Sequence, residues 1–334
     1  MGKIQFIARR LAGMDYRAMR ERVARVSEKT GKSRAGVLLD MARCAVRYQA
    51  GYVDYDVFGM YALTSAQRAT YITRGLNTMY VRRLNDAAYY EFFHHKHKFN
   101  ETFGEYLGRE WLYLPDNPDK LGEFTARHPV FIAKPDDGSC GIGVERVDAL
   151  SFPDTEALRA WLGERKLDLV EEQIRQHPEL SALYPGAVNT VRLVTILNGG
   201  LVHIVYGCLR MGSNGGVVDN FSSGGLLSPI DMAAGTLSFP AADMNGEVYD
   251  SHPDTGTVIK GFAAPRWAEC LALVRETARK IPEVRYVGWD ISVTPDGPVL
   301  VEGNHFPAND LFQLPAHTPD KIGMLPAYRE AAGF

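Results

Sequence analysis

The sequence predicts an α+β fold, with a mostly helical N-terminal region over 1–95 and two strand-bearing subdomains over 96–185 and 186–334. Three observations predict it. Residues 15–49 carry helical apolar spacing between capping residues. From Pro129 the pattern changes to short apolar and alternating runs punctuated by glycine. Near its end the chain reads as a β-hairpin, Val287 to Asn304, whose acids fall on one face.

Composition sets the outer bounds. At 334 residues the chain is long enough to bury a substantial core, and 46% hydrophobic with 23% charged residues is the balance of an ordinary water-soluble protein. No apolar run approaches the ~20 residues of a membrane span. Phe6 stands where a myristoylation signal needs Ser or Thr. Cys44, Cys140, Cys208 and Cys270 are far apart, which argues against a zinc knot or a disulfide framework. A reduced, cytoplasmic protein is expected. The net charge of −3 is uneven, because residues 1–48 hold twelve Lys/Arg against four Asp/Glu. Such a region is either a set of arginine-rich solvated helices or a basic surface for an anionic membrane, lipid-linked phosphate or acidic glycan. No recognised nucleic-acid motif accompanies it, and no nucleic-acid partner is expected.

Asp15 and Ser33 are expected to cap two helices separated at Gly31, and Thr64 to cap a third running through about Arg83, with Gln67 completing a capping box. The aromatic stretch from Tyr89 to Phe103 contains His94, His95 and His97, which lack the i, i+4 placement of a helical metal pair. They read as surface or aromatic-packed histidines.

Val130 to Pro135 is an expected strand carrying Lys134, and it runs into a loop with Gly138, Ser139, Cys140, Gly141 and Gly143, followed by a second strand from Val144. Glycines let backbone N–H groups converge on an anion, and a strand lysine adds a point charge, so the arrangement suits phosphate. It is neither a P-loop nor a dinucleotide fingerprint, because the glycine spacing is wrong and a strand follows the loop. Asp154 caps a helix to about Glu164. Residues 167–174 form a strand ending in acids, and 189–212 form two strands joined at Gly199-Gly200. Arg192 and Arg210 lie on these strands, where arginine needs an anionic partner. A polar glycine-rich loop, 219–225, and a core helix over 265–280 lead to the final hairpin.

In that hairpin Asp290 and Glu302 are symmetric about Asp296, so a three- or five-residue loop sets them opposite each other, and Asn304 shares the face of Glu302. Two carboxylates and an amide oxygen make a hard, oxygen-only set suited to Mg²⁺ or Mn²⁺ beside phosphate.

The succession of strand lysine with glycine loop, acidic strand end, two arginine strands, Asn…Gly-Gly loop and Asp…Glu-x-Asn hairpin resembles the ATP-grasp superfamily, and within it the sugar-transfer-associated branch, over about 96–312. The resemblance implies two α+β subdomains clasping ATP. It implies that Lys134 reaches the α/β-phosphates and that Lys98 is a second nucleotide lysine, although His97 stands where the family has Asp. It also implies that the loop with Gly138, Ser139, Cys140 and Gly141 covers the β/γ-phosphates, and that Glu171, Glu172, Gln173 and Ile174 form the adenine hinge with Glu179 near the ribose. By the same resemblance Arg192, Arg210 and Asn220 act at the transferred phosphate with Gly224 and Gly225 beside it, and Asp290, Glu302 and Asn304 hold magnesium. After Asn304 the family often has Pro-Gly, whereas here Pro307 precedes Ala308.

The implied activity is ATP-dependent joining of a small-molecule carboxylate to an amine through an acyl-phosphate, in glycan or secondary-metabolite synthesis. No nucleophile signature surrounds Ser139 or Cys140, which fits chemistry by positioning. A kinase, a ligase to thiol or hydroxyl, and a non-catalytic nucleotide-binding docking protein are the alternatives. The sequence does not set the oligomeric state.

Overall fold

The computed structural model describes residues 14–138, 141–309 and 313–334. The expectations resting on Phe6, Ser139 and Cys140 therefore lie outside the described residues. The N-terminal helices form as their caps dictate. Helix α1 (Tyr16–Thr30) starts at Asp15, whose carboxylate accepts from the Arg17 and Ala18 N–H groups, and ends at Gly31 in the left-handed region. Helix α2 (Arg34–Tyr48) starts at Ser33. With α3 (Tyr52–Val57) they enclose a small core of Val26, Val37, Cys44, Tyr55 and Phe58.

The single helix expected from Thr64 to Arg83 is two. Thr64 and Gln67 make the capping box, but α4 (Ser65–Arg68) stops after one turn, and α5 (Arg74–Leu84) restarts with Thr73 as cap. The break is specified from afar. Gln313 accepts from the Ile72 N–H (2.8 Å) and donates to its carbonyl (2.9 Å), satisfying a backbone that helix would have paired internally. Two short helices follow, α6 (Glu91–His94) and α7 (Lys96–Thr102).

The first sheet is antiparallel, in the order β1-β4-β2-β3, from β1 (Trp111–Tyr113), β2 (Val130–Lys134), β3 (Glu145–Asp148) and β4 (Leu169–Glu172). One face carries α8 (Leu121–Arg127) and α9 (Thr155–Glu164), with Phe131, Val170, Phe124 and Leu162 in their shared core. Asp154 caps α9 as expected.

After α10 (Pro178–Leu183), the second sheet has seven antiparallel strands in the order β11-β10-β5-β6-β7-β8-β9. Its centre is the hairpin β5 (Thr190–Asn198) and β6 (Leu201–Met211), turned at Gly199 and Gly200 with φ of 57° and 78°. Three short strands extend one side: β7 (Leu226–Pro229), β8 (Ala241–Ala242) and β9 (Val248–Tyr249). Strands β10 (Tyr286–Val293) and β11 (Pro298–Asn304) extend the other. The period of two sorts the side chains. Val191 and Leu193 face a core closed by α11 (Trp267–Thr277), while Val194 and Ile196 face Tyr80 and Leu84 of α5 and Tyr328 of α12 (Leu325–Ala332). Helix α5 thus covers one face of the sheet that bears the acids.

The β10–β11 register brings Asp290 opposite Glu302 by a route the numbering alone did not reveal. Thr294 donates to the Gly297 carbonyl (2.9 Å), leaving the two-residue turn Pro295-Asp296, which pairs Val293 with Pro298 and Ile291 with Leu300. A one-residue bulge at Val301 then shifts the register so that Asp290 meets Glu302.

Candidate active site

A cavity of about 630 Å³ lies between the two sheets, within the range of small-molecule sites. Its lining includes Lys134 from β2, Glu172 to Ile174 from the end of β4, and Thr190 and Arg210 from β5 and β6. Asp290, Val301 and Glu302 line its far side. A smaller pocket beside it is lined by Lys96, Lys134, Glu302 and Asn304.

Buried charge is organised around two carboxylates. Glu171, on β4, accepts from Lys134 Nζ (2.7 Å), from Arg109 Nε (3.0 Å) and from Asn100 Nδ2 (2.8 Å). Burial alone would raise its pKa, but Arg109 and Lys134 overcome that and hold it well below the usual carboxylate range. Asp290 sits under two guanidiniums. Arg192 donates to it through Nε and through Nη2 (2.8 Å), and Arg210 through Nη2 (2.9 Å). Here too burial works upward and the two arginines prevail, so Asp290 stays ionised.

Glu302 behaves oppositely. Burial and the facing Asp290 raise its pKa. Two acids turned toward each other in a dry site, one pushed toward protonation, form an arrangement that a divalent cation relieves. Asn304 Nδ2 donates to Glu302 Oε1 (3.0 Å), which ties the amide to the acid beside it. Oxygen-only donors fit Mg²⁺ or Mn²⁺, so the three residues expected to hold the metal do share one face.

The glycine loop and the 219–225 loop meet at the cavity. Gly141 has φ +72°, and a Cβ there would lie 2.5 Å from Asn220 Oδ1. Only glycine allows that approach. Gly138 and Gly141 both line the cavity, as does Asn220; Gly224 (φ +94°) and Gly225 shape the turn behind it, where a Cβ on Gly225 would strike the Asp219 carbonyl at 2.4 Å.

Three expected residues stand elsewhere. Lys98 ion-pairs with Glu91 on an exposed surface, and Lys96 takes the inward place, its Nζ donating to the Gly138 carbonyl (2.6 Å). Positions two apart on a helix are about 200° apart, so only one of the two lysines of α7 can face inward. Burial, reinforced by Lys134, lowers the pKa of Lys96. Arg192 lies beneath Asp290 instead of lining the cavity, and so positions an acid rather than meeting phosphate. Glu179 is exposed on the first turn of α10, and its neighbours Pro178 and Ser181 line the cavity instead.

Four residues escaped sequence reasoning. Asp219 accepts from Arg210 (3.2 Å) and from the Thr190 N–H (2.9 Å). Thr190 also accepts from Arg210 Nη2 (2.8 Å), and Arg109 binds Glu171. Asp136 accepts from the histidines (2.8 and 2.9 Å). Asp219 begins a loop already singled out by its glycines, whereas nothing in the sequence marks Arg109. The thiols of the three described cysteines are not poised to react: burial pushes Cys208 and Cys270 up to about 12 and raises Cys44.

Comparison with known proteins bears on the part of the chain that carries the hairpin acids. The model of the sugar-transfer associated ATP-grasp family matches residues 155–319. Those residues belong to that family. The matched segment contains Arg210, Asn220, Asp290, Glu302 and Asn304, and it begins after Lys134 and the glycine loop. The helical region and most of the first sheet lie ahead of the matched segment. No curated protein matches the chain in sequence.

Among solved structures, the ADP complex of an N5-carboxyaminoimidazole ribonucleotide synthetase is similar at 11% identity and a TM-score of 0.39, covering 65% of this chain and 46% of that one. D-alanyl-alanine synthetase A from Vibrio cholerae O1 biovar eltor str. N16961 is similar at 13% identity and 0.41, covering 73% and 61%. D-cycloserine synthetase DcsG is similar at 11% identity and 0.43, covering 80% and 86%. The chain spans 46% and 61% of the length of the first two.

Proposed function

We propose that the protein is an ADP-forming carboxylate–amine ligase. The observation that carries this reading is the facing of Asp290 and Glu302, with Asn304 beside them, in a cavity that also holds Lys134, Lys96 and Arg210. Cations on one side and a hard-ligand set on the other suit a nucleoside triphosphate bound with Mg²⁺. Asp290, Glu302 and Asn304 would hold Mg²⁺ (or Mn²⁺), which when bound supplies neutralisation of phosphate charge. Lys134, Lys96 and the loop through Gly138 and Gly141 would bind the phosphates. The strand end Glu172 to Ile174 would bind the base, with Glu171 fixing Lys134 from behind.

In the proposed reaction a substrate carboxylate oxygen attacks the γ-phosphorus and the bond to the β-phosphate oxygen breaks, releasing ADP. An amine then attacks the acyl carbon of the acyl-phosphate. Phosphate leaves with the carboxylate oxygen, the amine gives up a proton, and an amide results. Arg210, which lines the cavity while Thr190, Asp219 and Asp290 hold its Nε and Nη2, would set its charge beside the transferred group, with Asn220 also on the cavity wall. Such chemistry asks for positioning and electrostatics more than for a covalent nucleophile. The described cysteines, buried and raised in pKa, fit that requirement.

The test is ADP and phosphate release with Mg²⁺-ATP against amino acids, uronic acids and amines, offered singly and in pairs. Release that requires an acid and an amine together supports the ligase; release with a single hydroxyl compound and a stable phosphorylated product indicates a kinase. Silence despite measured ATP binding, across a panel that includes glycan-derived acids and amines, favours the docking protein. An anionic glycan or membrane surface remains a proposed partner of the basic helices. Part of their charge is neutralised internally, since Arg22 and Arg25 both bind Asp56 (2.7 and 2.6 Å). Across the described residues no helix is long and apolar enough to cross a membrane.

A further inference from the structure

We propose that His95, His97 and Asp136 form a binding site for a borderline transition-metal dication such as Zn²⁺, separate from the oxygen-only set on β10 and β11. Their ligand atoms all lie within 4.8 Å of one another. His97 Nδ1 is 2.8 Å from Asp136 Oδ1, and His95 Nδ1 is 2.9 Å from Asp136 Oδ2. Both rings thus present the same nitrogen to one carboxylate. Tetrahedral Zn²⁺ with ligand bonds of about 2.0–2.1 Å needs ligand atoms about 3.3 Å apart, so the two hydrogen-bonded contacts would lengthen by about half an ångström while the widest separation in the set, within 4.8 Å, draws in.

As an apo cluster the three satisfy one another, each ring donating Nδ1–H to the carboxylate. A metal would take the Nδ1 of each ring in the tautomer that carries its proton on Nε2. Two imidazoles and a carboxylate are a donor set that selects zinc, cobalt or nickel over magnesium.

The surroundings hold the ligands in place and leave a way in. The His97 ring lies flat on Tyr113, centroids 4.2 Å apart at 12°, and the His97 backbone N–H donates to Asp136 Oδ1 (2.9 Å). The Asp136 side chain is 8% exposed and that of His95 is 38%, so the site opens to solvent on the His95 side, where water completes the coordination. Lys96, between the two histidines, donates Nζ to the Gly138 and Asp136 backbone carbonyls (2.6 and 3.3 Å), not to the Asp136 carboxylate. An ion here ties α7 to the root of the glycine loop, because Asp136 opens that loop and its carbonyl accepts the Lys96 N–H (3.1 Å). The site stands whether or not the ligase reading holds.

The experiment is titration of Co²⁺ into the metal-free full chain, read by visible absorption. Saturation at one equivalent, with bands stronger than those of aqueous Co²⁺ and bleached by Zn²⁺, is expected. The H95A/H97A variant should lose the bands, Asp136→Asn should weaken binding at least roughly tenfold, and Glu302→Gln should keep them unchanged. Wild-type absorption no stronger than free Co²⁺ overturns the proposal, as do identical spectra in the double-histidine variant or loss of the bands on Glu302→Gln alone.

Discussion

Arg109, its side chain buried, joins the two sheets by binding Glu171 on one side and the β11 bulge on the other. Its Nε donates to Glu171 Oε2 (3.0 Å), while its Nη1 and Nη2 donate to the Leu300 and Val301 carbonyls (2.6 and 3.3 Å). The bulge is where the register shifts to bring Asp290 opposite Glu302. One guanidinium therefore satisfies the carbonyls that the bulge frees and balances the acid that anchors Lys134.

Removing the acid from that arrangement should be costly. Glu171→Gln leaves Lys134 and Arg109 buried without their counter-charge, and a loss of about 3–5 kcal/mol at neutral pH is expected from denaturant unfolding. The folded-state pKa of Glu171 is depressed, so its stabilisation is present above the ordinary carboxylate value of 4.5 and is lost as pH falls below it toward the depressed value. The gap between wild type and variant should narrow in that acid range. A gap constant with pH would contradict the ion-pair account.

The two inward lysines should matter to nucleotide and the third should not. Lys134→Ala and Lys96→Ala are each expected to weaken Mg²⁺-ATP binding roughly ten- to a hundred-fold, the worth of a charge-assisted hydrogen bond. Lys98→Ala, removing an exposed pair with Glu91, should change it by less than about twofold. Calorimetry of the three variants checks this.

The choice between Lys96 and Lys98 shows where legibility stopped. The hairpins, the Asp15, Ser33 and Asp154 caps, the Gly199-Gly200 turn and the shared face of Glu302 and Asn304 were readable because each is set by local spacing or by a residue's own φ preference. The interruption at Ile72 was not, because its partner Gln313 lies 241 residues away. The family resemblance implied that Arg192 meets phosphate, while the strand alone announced an anion without saying which one, and the anion is Asp290. Arg109 carries no local signal at all. The hairpin acids were placed opposite each other from symmetry about Asp296, whereas a tighter turn plus a bulge produces the same pairing.

Glu302→Gln should leave the fold intact and abolish the metal response. The pKa of Glu302 is raised by burial and Asp290, so in the metal-free protein its ionisation opposes folding as pH climbs above the ordinary value of 4.5. The variant should match or exceed metal-free wild type in melting temperature near neutrality. Mg²⁺-ATP should raise the melting temperature of wild type only. An equal rise in both would remove the metal assignment.

Gly141 is the point of contact between the glycine loop and Asn220. Gly141→Ala places a Cβ against Asn220 Oδ1 and adds about 1–2 kcal/mol of left-handed strain. The loop should close less well, raising the KM for ATP several-fold with melting temperature little changed. An unaltered KM would show that the contact has no part in binding.

The central claim is transfer of phosphate through the substrate carboxylate, and isotope tracing tests it most directly. Once a productive acid–amine pair is in hand, the acid is supplied with heavy oxygen in both carboxylate positions and the released phosphate is analysed by mass spectrometry. The account predicts one heavy oxygen in each phosphate formed and one retained in the amide. Phosphate free of heavy oxygen would mean that ATP is cleaved without activating the carboxylate, and would contradict the ligase.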